Sequence, residues 1–197
     1  VERSRGLGDV YKRQGTDCTA ALNALRGEQI DVLFLPENGG KGAAVKSGLQ
    51  WAQAHGFSHA LQIDADAQHS FLDVPALLAQ SAEQPQALVC AQPVYGSDAP
   101  KARLYGRKIT NFWNMLHTLS LDIKDGLCGL RIYPVAAANQ LIHERTIGNG
   151  MDFDNEILIR LYWRGVPLRW LPTPVRYHAD GVSHFHAWRD NILISKM

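Results

Sequence analysis

Short apolar runs alternate with amphipathic stretches along most of this 197-residue chain, and that alternation constrains the fold more than any other feature. Residues 31–36 (DVLFLP), 59–63 (HALQI) and 87–94 (ALVCAQPV) are typical of strands, whereas residues 43–56 and 72–84 have the spacing of helices. This order predicts an α/β fold, a Rossmann-type αβα sandwich with a mostly parallel central sheet. Such sheets bind ligands beyond the carboxyl ends of their strands.

The second half of the chain continues the pattern less regularly. It predicts one long helix over residues 103–121, a short strand over 128–134 and two further helices over 135–145 and 153–165. Residues 167–178 (PLRWLPTPVRYH) have an extended pattern, and their three prolines suit an edge strand. Since no repeat, low-complexity tract or linker divides the sequence, we expect one domain.

Composition narrows the classes of protein that fit. Hydrophobic residues make up 46% of the chain and the formal net charge is +1, which indicates a globular domain and argues against a broad nucleic-acid-binding surface. Cys18, Cys90 and Cys128 lack the spacing of a metal site or a disulfide framework, which suits a reducing compartment. No apolar run in the sequence is long enough to cross a bilayer.

The first 14 residues, VERSRGLGDVYKRQ, have no apolar periodicity and carry much charge. The stretch GLGDVYKRQ resembles translated sequencing adapter, so we expect residues 1–14 to be non-native. The domain is then expected over residues 15–197, with its N-terminal strand or strands missing. The closing NILISKM has the pattern of an interrupted helix, which allows a cut at the C-terminus as well.

Two carboxylates follow the 59–63 strand, in the sequence IDADAQH. In an extended segment Asp64 and Asp66 point to the same side, and so does Gln68. Oxygen ligands of this kind suit Mg²⁺ or Mn²⁺, and a cation held there would neutralise the diphosphate of a departing nucleotide. The alternative is that one aspartate caps the helix that begins near Asp73 while the other is solvated.

Three segments together resemble a known family. The loop ENGGKGAAVKSGLQWA, the strand end IDADAQH about 20 residues later and the strand CGLR resemble motifs of the family-2 glycosyltransferases, which have the GT-A fold. The most similar branch is that of the polyprenyl-phosphate sugar transferases, of which dolichyl-phosphate mannose synthase is the familiar member. The resemblance runs from about Gly15 to the C-terminus.

The resemblance implies roles for residues at the donor site. Asp64, Asp66 and Gln68 match ligands of the metal and the diphosphate, and Lys41 matches a position near the nucleotide. The sequence GTDCT, with Asp17, resembles the end of a D-D-G-S-x-D-x-T motif whose leading aspartates hold the nucleoside and are absent here. The glycine-rich loop lacks Walker spacing, and a plain strand-to-helix turn explains it nearly as well as a phosphate contact does.

A cationic set from the C-terminal half completes the implied donor site. Arg131 lies in the CGLR strand, and Arg176, Ser183 and His184 match the family's R-x-x-G-x-S-[KH] loop, which closes over the donor phosphates. The segment here is two residues longer between arginine and glycine. Arginine forks bind diphosphates bidentately. Arg107, in the long predicted helix, is more typical of a solvated face.

Two acidic residues are candidates for the catalytic base of an inverting transfer, which removes the acceptor's proton. The resemblance points to Asp154, at the start of a helix and 11 residues before Gly165, and to Asp125, ahead of the arginine-bearing strand. We favour Asp154, although an acid at that position also stabilises a helix N-terminus. A phosphate acceptor is already ionised and needs less help from either residue.

The resemblance implies a bacterial cell-envelope enzyme that depends on Mg²⁺ or Mn²⁺. It would move a sugar, with inversion, from a UDP- or GDP-sugar to a polyprenyl-phosphate, other lipid-linked or glycan acceptor. We expect a cytoplasmic location at the inner face of the membrane, peripheral membrane association and no nucleic-acid partner. The alternatives are a sugar-phosphate nucleotidyltransferase and an inactive glycosyltransferase-like fragment that acts only as a binding module.

Overall fold

Strands and helices alternate through the part of the chain that the computed structural model describes. It covers residues 6–9, 23–24, 27, 30–37, 39–64, 68–96, 99 and 101–175, with the backbone alone at 6–9 and 101–103. In chain order the elements are β1 (Gly6–Asp9), β2 (Ile30–Leu33), α1 (Lys41–Ala54), β3 (His59–Gln62), α2 (Val74–Glu83), β4 (Leu88–Tyr95), α3 (Lys101–Thr118), β5 (Arg131–Pro134), α4 (Val135–Glu144), α5 (Phe153–Trp163) and β6 (Leu168–Val175). The predicted α/β class is confirmed.

The central sheet has the strand order β3-β5-β4-β6. β4 and β6 run parallel over eight residue pairs, but β5 runs antiparallel to both of its neighbours. The expectation of a mostly parallel sheet is therefore wrong for these strands. The reason is that the chain leaves β4 and enters β5 at the same end of the two strands. The connection through α3 therefore does not cross to the opposite end of the sheet, as it would between parallel strands. Arg131, the first residue of β5, consequently pairs with Gln62, the last residue of β3.

Successive residues along each strand pack on opposite faces of this sheet. On one face Leu88, Cys90 and Tyr133 pack with side chains of α1, α4 and α5. On the other face Val89 and Ile132 pack against α2. Both faces of the sheet are covered by helices, which is the αβα layering expected from the alternating sequence pattern.

The remaining sequence-based expectations for the fold are met in part. β6, which contains Pro172 and Pro174, lies at an edge of the sheet as its prolines predicted. β1 pairs in parallel with β2 in a separate two-stranded sheet, so part of the segment 1–14 is described as a strand. The non-native origin of residues 1–14 stays a prediction. None of the described helices is long and apolar enough to cross a membrane.

Candidate active site

The loop that leads into α1 is shaped by close backbone packing. Gly40 has φ 91°, and a Cβ at that position would overlap the carbonyl oxygen of Asn149. The backbone N–H of Gly42 donates to the same carbonyl at 2.8 Å. The glycines therefore let the first turn of α1 pack directly on the loop before α5, which fixes where Lys41, the first residue of α1, points.

Lys41 connects two carboxylates that are far apart in the sequence. Its Nζ lies 2.7 Å from each carboxylate oxygen of Asp64 and 2.5 Å from Oδ2 of Asp154. Burial by itself lowers the pKa of Lys41, but the carboxylates of Asp154 and Asp64 outweigh it and raise this pKa above its ordinary value. Lys41 is therefore a permanent cation that joins the end of β3 to the start of α5.

Asp154 is buried among the residues that the structure describes. Its side chain is 2% exposed, and its Oδ1 accepts a hydrogen bond from Gln62 Nε2 at 2.9 Å. The hydroxyl of Tyr133 donates to the amide oxygen of Gln62 at 3.1 Å, which fixes the orientation of that amide. Arg131 is fully buried and donates to the backbone carbonyls of Asp154 and Gly126. Asp154 thus sits in a buried network rather than at the open end of a helix.

Asp125 forms a second enclosed cluster beside β5. Asp125 is 5% exposed, and its carboxylate accepts two hydrogen bonds from Arg107, at 2.6 and 2.8 Å. The backbone N–H groups of Leu127 and Cys128 donate to Oδ1, each at 2.8 Å. Arg107 also lies over the ring of Tyr95, with 5.3 Å from Cζ to the ring centroid. The interpretation of Arg107 as a solvated residue is therefore wrong.

The segment after the strand end lies near the same edge of the sheet. Gln68 is half-buried, and His69 forms an isolated antiparallel bridge with Val175. Nε2 of His69 lies 3.7 Å from the sulfur of Cys128. Burial raises the pKa of Cys128 to about 12, so this group is a neutral thiol and a packing contact rather than a thiolate ligand.

The structure brings together some of the predicted site residues and leaves others untested. Lys41, Asp64 and Asp154 meet directly, and Arg131 supports Asp154 through its backbone carbonyl. The predicted contact of Arg131 with donor phosphates stays a prediction, and in the structure its fully buried guanidinium donates to protein carbonyls. Sequence reasoning missed Gln62 and Tyr133. The signal for Gln62 was an amide two residues before Asp64 in an otherwise apolar strand. The predicted residues that lie outside the described part of the chain are Asp17, Asp66, Arg176, Ser183 and His184.

Comparison with known proteins identifies the family. Residues 16–142, more than half of the chain, match the model of glycosyl transferase family 2. The chain belongs to this family. The match does not distinguish the polyprenyl-phosphate branch from other branches.

Individual relatives of this family-2 chain are distant. An uncharacterized protein of Methanocaldococcus jannaschii is 26% identical over 158 residues, which are 75% of this chain and 65% of that protein. The glucosyl-3-phosphoglycerate synthase of Mycobacterium tuberculosis superposes with a TM-score of 0.64 at 18% identity, covering 95% of this chain and 65% of that one. Its complex with Mn²⁺ and UDP-glucose superposes with 0.59 at 18% identity, covering 92% and 61%. The chain spans slightly less than two thirds of these relatives, and the likeness to the solved structures supports the GT-A fold.

The described residues of this glycosyltransferase are compatible with a hard cation at the end of β3. The Asp64 side chain is 27% exposed and supplies carboxylate oxygens, and Gln68 follows within the same segment. Within the described ranges no group of three or more His, Cys, Asp or Glu side chains could hold a metal ion. A cation site would therefore depend on Asp66 as well.

The Asp64 carboxylate packs directly against Gly129, where a larger residue would not fit. A Cβ at Gly129 would overlap both Asp64 oxygens and its Cγ. Gly129→Ala should displace Asp64 from Lys41 and reduce sugar-transfer activity about tenfold or more, because misplaced ligands cost that much. Steady-state kinetics with purified protein measures this. Gly106→Ala is the control, because a Cβ at Gly106 meets nothing within 4 Å. Equal activity of the two variants would contradict the assigned position of Asp64.

Proposed function

We propose that this family-2 glycosyltransferase transfers a sugar from a nucleotide sugar to an acceptor with the help of a divalent cation. The observation that carries the proposal is the position of Asp64 at the carboxyl end of β3, held there by the buried ammonium of Lys41. A carboxylate fixed in advance at a strand end can receive a charged ligand without first reorganising.

The cation would be Mg²⁺ or Mn²⁺, held by Asp64, Asp66 and Gln68. When bound, it supplies positive charge that neutralises the diphosphate leaving group. The solved complex of glucosyl-3-phosphoglycerate synthase with Mn²⁺ and UDP-glucose supports this choice of cation and a UDP-sugar donor, while a GDP-sugar remains the other candidate. Lys41 balances the charge of Asp64 and holds its carboxylate in one orientation. The carboxylate therefore does not repel the diphosphate as strongly, and it needs no reorientation before the cation binds.

The rest of the donor site is proposed from the resemblance. Asp17 would contact the nucleoside side of the donor, and Arg176, Ser183 and His184 would contact the diphosphate. We assign Arg131 an indirect part, because it holds the backbone carbonyls of Asp154 and Gly126 from a fully buried position. That arrangement fixes the start of α5 against β5, and with it the second carboxylate that Lys41 binds.

The acceptor is proposed to present an oxygen that is already ionised, as in a polyprenyl phosphate or another lipid-linked phosphate. The surroundings of the two candidate bases favour such an acceptor. Asp154 and Asp125 are enclosed, and their carboxylates already accept hydrogen bonds from protein donors. A hydroxyl acceptor needs a base within reach, whereas a phosphate oxygen does not. In the proposed inverting step that oxygen attacks the sugar C1 as the bond from C1 to the diphosphate breaks, and no proton moves.

We place the enzyme in the cytoplasm, at the inner face of a bacterial membrane.

A transfer assay tests this proposal. Radiolabelled UDP-glucose and GDP-mannose are supplied with Mn²⁺, and undecaprenyl phosphate, undecaprenol and 3-phosphoglycerate are compared as acceptors. We expect label in the lipid phase with undecaprenyl phosphate alone, and its loss on addition of EDTA. Transfer to 3-phosphoglycerate or to undecaprenol instead would overturn the proposed acceptor. Transfer that persists in EDTA would overturn the proposed dependence on a divalent cation.

A further inference from the structure

The ammonium group of Lys41 is fully occupied by the two carboxylates that it joins. A lysine ammonium carries three N–H donors. Nζ of Lys41 lies 2.7 Å from Oδ1 and from Oδ2 of Asp64 and 2.5 Å from Oδ2 of Asp154, so each donor has one carboxylate oxygen within reach. Both oxygens of Asp64, the carboxylate proposed to hold a divalent cation, therefore already face a positive charge.

Packing keeps this ammonium at the strand end. The Lys41 side chain is 18% exposed, and the first turn of its helix is fixed by the hydrogen bond from Gly42 to the carbonyl of Asn149. The Asp64 carboxylate in turn packs against Gly129, where a Cβ would overlap it. A ligand that reaches Asp64 therefore meets the carboxylate together with its lysine, and not a free carboxylate.

The charged side chains around this contact balance one another. Six of them connect the end of β3 with the starts of α5 and β5, and three are positive and three negative: Lys41, Arg107, Arg131, Asp64, Asp125 and Asp154. Their formal charges sum to zero. In the proposed cation site Asp66 would add one negative charge and Gln68 none. A divalent cation would thus bring more positive charge than these residues offset.

This charge balance favours a cation that arrives together with an anion. A divalent cation on Asp64 and the ammonium of Lys41 would contact the same carboxylate, and like charges at that separation repel each other. The diphosphate of a nucleotide supplies negative charge and oxygen ligands on the other side of the cation. The pair of cation and diphosphate therefore suits the balanced site, whereas Lys41 opposes the bare cation.

We propose that Lys41 makes the binding of the divalent cation conditional on the nucleotide diphosphate. The ammonium opposes a bare cation at Asp64, and the negative charge of the diphosphate offsets that opposition, so the two ligands bind as a pair. Because coupling between two ligands is reciprocal, each strengthens the binding of the other. This inference rests on the proposed function, and it makes Lys41 a positioning residue that acts through Asp64.

A purely structural role of Lys41 leads to a different expectation. If Lys41 only fastened α1 to the end of β3, its loss would lower stability without raising the affinity for a cation. The proposal instead requires that loss of the ammonium strengthens the binding of Mn²⁺ to the nucleotide-free protein, because the Asp64 carboxylate then faces no lysine. Damage to the fold does not produce a gain in cation affinity.

Binding of Mn²⁺ to the nucleotide-free protein tests this, measured by the loss of the electron paramagnetic resonance signal of free Mn²⁺. Lys41→Met should bind Mn²⁺ about tenfold more tightly than the wild type, within the usual range of coupling between ligands. Lys46→Met is the matched control, because Lys46 lies on the same helix but donates to the carbonyl of Ile147 at 2.6 Å. Its Mn²⁺ affinity should stay within about twofold of the wild type, since solvent and salt screen a more distant charge.

A second variant and a second readout complete the design. Lys41→Met combined with Asp154→Asn replaces Lys41→Met in the comparison if circular dichroism shows that the single variant is unfolded. Calorimetry with UDP and GDP, at saturating Mn²⁺ and in EDTA, measures how far the cation strengthens nucleotide binding. That factor should be about tenfold smaller in the Lys41 variant than in the wild type. The complex of Mn²⁺ with nucleotide in solution is common to both proteins.

The possible failures of this inference and of the proposed function differ. Equal Mn²⁺ affinity of the wild type and the Lys41 variant, or an equal gain in Lys46→Met, would overturn the role of Lys41 and leave the proposed cation site in place. So would a wild-type protein that binds Mn²⁺ as tightly without nucleotide as with it. Absence of Mn²⁺ binding by every protein, with and without nucleotide, would overturn the cation site and this inference together.

Discussion

Lys41→Met is expected to lower the free energy of unfolding by about 3–5 kcal/mol, the usual cost of leaving one partner of a buried ion pair unpaired. The Asp154 side chain is 2% exposed, and among the described residues it would keep only the hydrogen bond from Gln62. Asp64 would lose the cation that contacts both of its oxygens. Urea denaturation followed by circular dichroism measures the change. Sugar transfer should fall as well, because the strand end is no longer fixed.

The companion variants separate charge from packing. Lys41→Arg keeps the charge and should recover part of the lost stability. Lys41→Met combined with Asp154→Asn removes both members of the buried pair and should recover most of it, since an apolar or neutral pair costs little. If the double variant is no more stable than Lys41→Met, the loss arises from packing around α1 and not from the uncompensated Asp154 carboxylate.

Asp64→Ala is expected to reduce sugar transfer at least about 100-fold, because it removes a carboxylate proposed to hold the cation at the leaving diphosphate. The fold should tolerate this change, with a loss of about 1 kcal/mol or less, since Asp64 is partly exposed and Lys41 keeps its contact with Asp154. Steady-state kinetics at several Mn²⁺ concentrations measures the effect.

A surface ion pair supplies the control for this variant. Glu144 accepts from Arg164 at 2.5 Å on the exposed side of α4. Glu144→Ala should leave transfer within about twofold of the wild type, because exposed pairs contribute little. An Asp64→Ala enzyme as active as Glu144→Ala would show that the strand-end carboxylate takes no part in the reaction.

The order of the elements and the position of Asp64 could be predicted from sequence because they depend on local patterns. Apolar periodicity over about ten residues defines each strand and helix, and the strand over 59–63 places Asp64 at an edge of the sheet. The family motifs added the loop containing Lys41. The family match and the solved structures confirm the family and the α/β fold, while the roles of Asp64 and Lys41 stay predictions.

The pairings between distant segments could not be predicted. The antiparallel direction of β5 depends on where α3 and residues 119–130 return the chain, which no local pattern encodes. The inward orientation of Lys41 depends on the packing of Gly42 against Asn149, across more than 100 residues of sequence. For the same reason Arg107 appeared as a residue of a solvated face, although Asp125 binds it from beyond the end of its helix.

Calorimetric titration with UDP and GDP, in the presence and absence of Mn²⁺, measures whether nucleotide binding at the end of β3 requires a divalent cation. We expect one of the two nucleotides to bind the protein when Mn²⁺ is present, and we expect that binding to be lost without Mn²⁺ and in Asp66→Ala. Circular dichroism of Asp66→Ala checks that the variant is folded. Binding that does not depend on Mn²⁺, or that survives in Asp66→Ala, would contradict a metal-dependent nucleotide-sugar site at the end of β3.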